Sequence, residues 1–291
     1  MTDNALASAR PIRARGYNGI ALALSIVLAL FVPAVGEAGS PQTVQPGKSW
    51  RFRVFTEKLT AVDDLATGRD GRVYATQALD GDGRVVRLRE GYVEVVVRGL
   101  EHPRGVAVRK NSLYVTEQVN EGSVIEVNLT DGKRRVFEGL HSPEHIALLP
   151  DGELAVTENG VNGRLVRLLA NGTVEVITAG INNPEGLSVG SDGTIFVGES
   201  GTGRILAWKH GVLDVAIDDI DEPGQIEAAP DGALWITERA NPGRLLRFKD
   251  GALETVLSGL IDPRGIALTE NGAVLVAEQG RGRVLMVEPK P

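Results

Sequence analysis

From residue 50 onward, hydrophobic residues alternate with polar or small residues in short runs that are separated by turn-forming residues. Alternation with a period of two is typical of β-strands buried on one face, and pairs such as Asp192-Gly193 are typical of tight turns. The runs are too short and too rich in glycine and β-branched residues for helices. One stretch contains four such runs in succession: Gly186–Val189, Thr194–Gly198, Arg204–Trp208 and Val212–Ile217.

This group of four runs is repeated along the chain. It reads PEGLSVGSDGTIFVGESGTGRILAW from Pro184 and PRGIALTENGAVLVAEQGRGRVLMV from Pro263. A degenerate copy without the proline begins at Val62, so six copies cover about residues 48–288. Four short strands at a period near 40 residues predict the blades of a β-propeller. Five copies open at a proline, at spacings of 40, 41, 39 and 40 residues: Pro103, Pro143, Pro184, Pro223 and Pro263.

The two ends of the repeated region complement each other. The last copy stops after its third run, Arg283–Glu288, while an extra run, Trp50–Thr56, precedes the first copy and aligns with the fourth runs of the others. Pairing of the two ends would close the ring and hide the edges that an open array exposes. The sequence therefore predicts an all-β domain at residues 49–291. It is a six-bladed β-propeller with four-stranded blades of about 40 residues, whose N-terminal strand completes the last blade.

The first 38 residues have a different pattern. Arginines at positions 10, 13 and 15 precede an uncharged apolar run, Gly19–Val35, and the small-residue step Gly36-Glu37-Ala38 follows it. A positively charged N-terminal region, an apolar central region and a cleavage site of small residues are typical of a secretory signal peptide. We expect residues 1–38 to act as a signal peptide for export to the periplasm or the medium, or to stay as an N-terminal membrane anchor. Residues 39–48 are the expected linker.

The amino-acid composition excludes several kinds of site and partner. The chain has no cysteine, which excludes disulfide bonds, thiolate zinc sites and a cysteine nucleophile. It carries 31 Lys and Arg against 38 Asp and Glu, a net charge of −7, without a basic block. Nucleic acid is therefore not an expected partner. A small-molecule ligand or a partner protein is expected at the propeller, and a membrane only through an uncleaved N-terminal segment.

Two rings of side chains are predicted on one face of the propeller, because the first strand of each blade starts there and the second strand ends there. One ring consists of the last residue of the second strand of each blade. This residue is nearly the same in every blade, and a Gly-Arg step follows it in most of them. An active site needs an asymmetric arrangement, so we interpret this ring as structural, with each glutamate paired to that arginine or to loop N–H groups. We call it the glutamate ring: Gln77, Glu117, Glu158, Glu199, Glu238 and Glu278.

The second ring differs from blade to blade, which favours a functional role. Three acids in it, Asp63, Glu144 and Glu185, are candidate ligands of one divalent cation, Ca²⁺ or Mg²⁺, on the propeller axis, because hard cations prefer converging carboxylates. Arg104 and Arg264 are candidates for binding an anionic or carbonyl-bearing substrate. We call this the inner ring, and it consists of the residue after each proline position: Asp63, Arg104, Glu144, Glu185, Gly224 and Arg264.

Departures from the repeat beside the inner ring add further candidates. His145 replaces the usual glycine and is a candidate general base, with Glu185 as the second candidate catalytic residue. In blade 5, Gln225 also replaces that glycine, and Glu227 occupies a position that is alanine or serine elsewhere; both are candidate substrate contacts. We expect Glu227 to face a neighbouring blade, where a carboxyl needs a partner or a raised pKa.

The repeat P-x-G-[IL]-A…D-G-x-L-[YW]-[VI]-T-E…G-R-[VIL] resembles the six-bladed propellers of the gluconolactonase/senescence-marker-protein and NHL-repeat group over residues 48–288. The stretch PDGALWITE, residues 230–238, is also similar to the repeat of virginiamycin B (streptogramin) lyases. The gluconolactonase resemblance implies a divalent-metal hydrolase that acts on a sugar lactone or another lactone. By position, Asp63, Glu144 and Glu185 match the turns that hold metal ligands in that family.

Two hypotheses from different classes follow. In the first, the chain is an exported, divalent-metal-dependent lactone hydrolase that uses the inner ring. In the second, it is an exported, non-catalytic NHL-like propeller that binds a ligand or a partner protein on the same face, and the acids and arginines of the inner ring form an ion network. The resemblance also implies two more distant alternatives, a streptogramin-lyase-like enzyme and a quinone-dependent sugar dehydrogenase-like enzyme.

Overall fold

The computed structural model describes residues 43–291. In this range the chain forms 25 β-strands and one short 3-10 helix, Gln279–Arg281, and it contains no α-helix. No helix in the same range has the length and apolar character needed to cross a membrane. The predicted signal peptide or anchor at residues 1–38 lies outside the described residues, so export stays a prediction.

Antiparallel sheets follow one another along the chain, one for each copy of the repeat, as the alternating pattern predicts. The first three blades are formed by β3 (Val62–Thr67), β4 (Val73–Gln77), β5 (Gly83–Arg89) and β6 (Tyr92–Leu100); by β7 (Pro103–Arg109), β8 (Ser112–Glu117), β9 (Gly122–Asn128) and β10 (Arg134–Leu140); and by β11 (Pro143–Leu148), β12 (Leu154–Glu158), β13 (Gly163–Leu168) and β14 (Val174–Ile181). The next two blades are formed by β15 (Pro184–Val189), β16 (Ile195–Glu199), β17 (Arg204–Lys209) and β18 (Val212–Ile217); and by β19 (Pro223–Ala228), β20 (Leu234–Glu238), β21 (Gly243–Lys249) and β22 (Ala252–Leu260).

The N-terminal strand closes the ring in the last blade. The strands of blade 6 are β2 (Trp50–Glu57), β23 (Pro263–Leu268), β24 (Val274–Glu278) and β25 (Arg283–Pro289). β2 is the fourth strand of this sheet and pairs antiparallel with β25, with Phe52 opposite Val287. The predicted six-bladed β-propeller, closed by its N-terminal strand, is therefore confirmed.

The segment before β2 is also attached to the propeller. Gln45–Pro46 form a two-residue strand, β1, which pairs with β22 and adds a fifth, outer strand to blade 5. Val44 is buried, and Trp50 packs edge-on against Trp235 of blade 5 with the ring centroids 5.2 Å apart. Part of the predicted linker thus joins the last two blades, a feature too short to show any alternation in the sequence.

The hydrophobic core lies between neighbouring blades. Tyr114 and Val124 of blade 2, for example, share one cluster with Ile146 and Val166 of blade 3. Burial of apolar surface contributes roughly 25 cal/mol per Å² and holds the blades against each other. The first strands of the blades contact one another around the ring and surround a central channel, so residues at the starts of these inner strands have a rigid support: β3, β7, β11, β15, β19 and β23.

Candidate functional site

The inner ring lies in a β-bulge at the start of each inner strand. In blade 3, Pro143 pairs with Glu158 and Ile146 pairs with Val156, so two residues of β11 lie opposite one residue of β12. The same register shift occurs in all six blades. The bulge takes the two residues after each proline position out of the regular ladder. It places them at the end of the channel where the inner strands begin, which we call the upper face.

A buried threonine compensates for the interrupted ladder and links neighbouring blades. Thr157 accepts a hydrogen bond from the His145 N–H at 3.0 Å and donates one to the carbonyl of Glu185, in the next blade, at 3.0 Å. Each bond contributes about 1 kcal/mol net, and together they hold the inner-ring backbone of one blade against the next. The same pair of bonds is made in three other blades by Thr76, Thr116 and Thr237.

The glutamate ring has the structural role that its repetition predicts. Glu158 is buried and accepts a hydrogen bond from the His141 N–H at 2.8 Å and another from Arg164 Nε at 2.5 Å. Because these carboxylates are already engaged, the inner ring remains the candidate site. The other members accept equivalent bonds from an arginine or, in one blade, a serine: Gln77 from Arg84, Glu117 from Ser123, Glu199 from Arg204, Glu238 from Arg244 and Glu278 from Arg283.

Asp63 lies between the two arginines of the inner ring. Its Oδ2 atom is 2.9 Å from Arg104 Nη1, and its Oδ1 atom is 3.6 Å from Arg264 Nη1. Burial acts to raise the pKa of Asp63, but the two guanidinium groups outweigh it and hold the pKa below its usual value. Asp63 is therefore an ionised carboxylate whose charge is shared by two cations.

Glu144 is less well neutralised. It accepts a hydrogen bond from Gln118, and Arg104 Nε lies 4.0 Å from its Oε1 atom. Burial, together with the charge of Asp63, raises the pKa of Glu144 to about 8. At neutral pH this side chain is therefore mainly a protonated carboxyl, which can donate a hydrogen bond.

Arg239 completes the ring in the one blade whose inner-ring residue has no side chain. Gly224 leaves this space, since a Cβ atom there would lie 3.2 Å from Arg239 Cγ and 2.9 Å from Thr237 Oγ1. Arg239 forms an ion pair with Glu185, although burial still raises the pKa of Glu185 above its usual value. The buried Nε of Arg239 has no hydrogen-bond partner among the described residues. Arg239 is not among the residues predicted from the sequence; its signal there is the T-E-R step at 237–239 in the blade with glycine in the inner ring.

His145 is buried among these charges. Burial lowers its pKa to about 4; Asp63 opposes the shift, and the guanidinium of Arg104 adds to it together with those of Arg239 and Arg264. The imidazole is therefore neutral at neutral pH. Its Nδ1 atom is buried and accepts or donates no hydrogen bond within residues 43–291. A base with so low a pKa takes up protons poorly at neutral pH, so the geometry favours hydrogen bonding over general-base catalysis for His145.

The position that follows the inner ring along each inner strand holds a larger side chain in every second blade, and these side chains fill the channel. Asp64, His145 and Gln225 occupy this position in blades 1, 3 and 5, and Gln225 Nε2 donates a hydrogen bond to Asp64 Oδ1 at 2.9 Å. Burial raises the pKa of Asp64 well above its usual value. The other three blades have glycine there, because a Cβ atom would lie within 2.7 Å of neighbouring backbone: Gly105, Gly186 and Gly265.

The donor set of the inner ring does not fit a resident divalent cation. Within residues 43–291, no group of three His, Asp or Glu side chains is placed to hold a metal ion. Asp63 is engaged by two arginines, Glu185 by a third, and Glu144 is mainly protonated. Protein sites for Ca²⁺ and Mg²⁺ combine free carboxylates with carbonyl oxygens and waters, and a carboxyl that is protonated or paired with arginine is a poor ligand. The acids and arginines pair instead as an ion network, which is the second interpretation of this ring.

Glu227 is separated from the other candidates. It lines a cavity on the axis, beyond Gln225, rather than facing a neighbouring blade as expected. Its counterparts in the other blades line the same cavity, so this position faces the channel throughout the propeller. The structure thus leaves Glu227 apart. His145 and Gln225 share the layer below the inner ring, where Gln225 bonds to Asp64 and His145 lies beside the charges of the upper face. The remaining candidates meet on the upper face: Asp63, Arg104, Glu144, Glu185 and Arg264.

Comparison with known proteins identifies similar structures at low sequence identity. No family model and no curated protein matches the chain. A gluconolactonase from Xanthomonas campestris superposes with a TM-score of 0.71 and 18% identity, over 83% of this chain and 90% of that one. A putative oxidoreductase (glucose dehydrogenase) from Thermus thermophilus gives 0.65 and 20%, over 82% and 100%. A virginiamycin B lyase from Staphylococcus aureus gives 0.61 and 17%, over 84% and 99%.

These matches concern the fold. The chain shares its β-propeller fold with proteins named as gluconolactonases and virginiamycin B lyases, and the resemblance of its repeat to these proteins is confirmed at the level of the fold. Proteins with one fold carry out unrelated reactions, as the three different names already show. An activity must therefore be argued from the upper face itself.

Proposed function

We propose that this chain binds a small carboxylate of the sugar-acid class, or the corresponding lactone, on the upper face of its propeller. One observation carries the proposal. Two buried polar atoms on this face, His145 Nδ1 and Arg239 Nε, have no hydrogen-bond partner among the described residues. An unpaired buried polar group costs about 1–3 kcal/mol, and a ligand that bonds to both atoms removes that cost.

Three arginines favour an anionic ligand. Arg104, Arg239 and Arg264 come from three different blades, and their side chains keep 28%, 18% and 21% of their surface exposed. Each guanidinium has about five N–H donors and matches a carboxylate with two parallel bonds. Arg264 also contacts Asp262 at the rim. Because Glu144 is mainly protonated at neutral pH, the arginines outnumber the ionised acids of the inner ring.

Neutral polar groups between the arginines suit a hydroxyl-rich ligand. The protonated Glu144, the neutral His145 and Gln118 supply both donors and acceptors on the same face. Similarity of fold to a protein named as a gluconolactonase supports the same ligand class by analogy. Sugar acids and their lactones combine both features, a carboxyl or ester group and several hydroxyl groups.

Calorimetric titration of sodium D-gluconate into protein purified from the full-length chain tests this proposal. We expect binding that weakens as salt is added, and a loss of roughly tenfold or more in affinity for Arg104→Gln and for Arg264→Gln. D-Glucose, which lacks the carboxylate, should bind more weakly than gluconate. The control variant Arg134→Gln changes an exposed arginine on β10 and should leave the affinity within about twofold. Equal gluconate affinity in wild type and Arg104→Gln would overturn the proposal.

Lactone hydrolysis is the second candidate function, and His145 and Glu185 are the catalytic residues that the sequence predicts for it. The observation that favours it is the pKa of about 8 at Glu144, which suits a general acid at neutral pH. Hydrolysis of D-glucono-1,5-lactone faster than in buffer alone would support it, provided that Glu144→Gln abolishes this activity and EDTA does not change it. Turnover that requires added Ca²⁺ or Mg²⁺ would instead support the metal-dependent hydrolase implied by the resemblance.

We also propose export of the chain, on the charge and apolar pattern of residues 1–38. Cell fractionation with N-terminal sequencing tests it. A chain that starts near residue 39 in the periplasm or medium is expected for a signal peptide, and a full-length chain in the membrane fraction is expected for an anchor. Full-length protein in the soluble cytoplasmic fraction would contradict both.

A further inference from the structure

A cavity lies on the propeller axis beyond the layer of Asp64 and Gln225. Its volume is about 470 Å³, within the range of roughly 300–1,000 Å³ that is usual for small-molecule sites. The turn residues Arg69, Pro230 and Glu270, which follow the ends of inner strands, belong to its lining. The cavity is therefore reached from the end of the channel opposite the inner ring, which we call the lower face.

The wall of this cavity combines apolar side chains with polar ones, including Thr67, Ser188 and Gln225, and Glu227 is the carboxyl group set within it. Valine, leucine and isoleucine side chains of the inner strands form much of it. The other charged residues that line it, Arg69 and Glu270, are exposed at the mouth. Each blade contributes one residue at the same position, and five of the six are small: Ala66, Ala107, Ala147, Ser188, Glu227 and Ala267.

Glu227 has no compensating partner within residues 43–291. No hydrogen bond or ion pair to its carboxyl is formed there, and desolvation by the surrounding protein raises its pKa to about 8. Glu227 is half-buried, with part of its side chain open to the cavity. The charged group that interacts with it is another acid, Asp64, whose pKa is raised well above its usual value mainly by burial. Ionising a carboxyl in this position costs free energy in the unliganded protein, whereas the alanine found in four of the other blades carries no such charge.

We propose that this cavity is a second binding site, for an organic ammonium ion with an apolar body, and that Glu227 anchors the ammonium group. The ligand supplies the ion-pair partner that Glu227 lacks, and its apolar body fills the alanine-lined space. The site is independent of the proposed function on the upper face, since no residue of the inner ring lines the cavity.

Binding changes the protonation of Glu227. At pH 7 its carboxyl is mainly protonated because its pKa is about 8. The ammonium ion stabilises the carboxylate, so the carboxyl proton passes to the buffer as the ion pair forms. At pH 9 the carboxylate is already the main form, and little proton release remains. Asp64, Arg69 and Glu270 are the other charged or titratable groups around the cavity, and proton release by any of them would persist in Glu227→Gln.

Titration of n-hexylammonium chloride into the full-length protein, in two buffers that differ in ionisation enthalpy, tests the site. We expect release of about one proton per bound ligand at pH 7 and almost none at pH 9. In Glu227→Gln the affinity should fall roughly 10- to 100-fold, and the proton release should disappear. n-Hexanol has the same apolar body without the charge, and its affinity should differ by less than about twofold between wild type and Glu227→Gln. Glu270→Gln removes the carboxylate at the mouth and should retain both the affinity and the proton release.

A cavity-filling variant separates binding inside the cavity from binding elsewhere. Ala147→Leu adds a side chain to the wall and should abolish binding of both probes, while circular dichroism and thermal unfolding confirm that the variant is folded. Equal n-hexylammonium affinity in wild type and Glu227→Gln would overturn the proposal, as would unchanged binding in folded Ala147→Leu. The absence of any n-hexylammonium binding by wild type would also overturn it. D-Gluconate titrated into the same preparations reports on the upper face separately.

Discussion

The acids of the glutamate ring and two acids of the inner strands, Glu144 and Glu227, differ in the partners that neutralise them. Glu158 and Glu278 each accept hydrogen bonds from a loop N–H and from an arginine, and this arrangement recurs around the ring. Glu144 and Glu227 do not have this pair of donors, and desolvation raises the pKa of both to about 8. An acid that accepts hydrogen bonds from a loop N–H and an arginine therefore stabilises the fold, whereas an acid without these donors costs free energy when it ionises and is better explained by a ligand.

The largest expected effect on stability comes from substituting a member of the glutamate ring. Glu278→Ala removes the carboxylate that accepts hydrogen bonds from the Ile261 N–H and Arg283, and both donors lose their partner in the blade that closes the ring. We expect the free energy of unfolding to fall by roughly 3 kcal/mol, measured by urea denaturation. Glu144→Gln is the matched control and should change it by less than about 1 kcal/mol. Equal losses in the two variants would remove the distinction between the two kinds of acid.

An effect of comparable size, spread over several pH units, should appear as a difference in pH dependence. The pKa of Glu227 is about 8 in the folded chain, against an ordinary value of 4.5. Its contribution to stability is fully present below about pH 4.5 and is lost as the pH rises through 8, because the folded state binds the proton more tightly. Between pH 5 and 8, the stability of wild type relative to Glu227→Gln should fall by up to ~1 kcal/mol per pH unit. Urea denaturation across this range measures it, and parallel profiles would show that Glu227 is not buried in this way.

The repeat explains why the fold was predictable and parts of the site were not. Two incomplete ends of one repeat predicted that β2 pairs with β25, and repetition itself identified the glutamate ring as structural. Arg239 could not be found in this way, because it reaches the inner ring only through the space above Gly224 in the folded blade. The direction of Glu227 was also missed, since alternation distinguishes the two faces of a strand but does not show which positions face the channel.

The metal prediction shows the same limit of spacing arguments. Equivalent positions in different blades do bring Asp63, Glu144 and Glu185 to one ring, as the sequence predicts. The spacing did not show that Arg104 and Arg264 would both engage Asp63. It also did not show that Arg239, from outside the inner ring, would engage Glu185. Which charges compensate each other depends on side-chain geometry across blades, and a repeat does not encode that geometry.

The smallest expected effect concerns ligand binding beside Glu144 on the upper face. Glu144 is mainly neutral at pH 7 and ionises as the pH rises through about 8, with Arg104 Nε 4.0 Å away. Its new charge competes with an anionic ligand for that guanidinium, so gluconate affinity should weaken roughly 3- to 10-fold between pH 7 and pH 9.

Glu144→Gln removes this titration and should make the gluconate affinity nearly constant over the same pH range. Asp63 stays ionised throughout, and the neutral His145 does not change its charge there, because the pKa of each lies well below this range. Glu185 also has a raised pKa and faces Arg239, so it is the alternative source of any pH dependence. Calorimetric titrations of both proteins at pH 7 and pH 9 decide between them. An equal loss of affinity in wild type and Glu144→Gln would show that Glu185 causes the pH dependence. The protonated carboxyl of Glu144 would then have no part in anion binding.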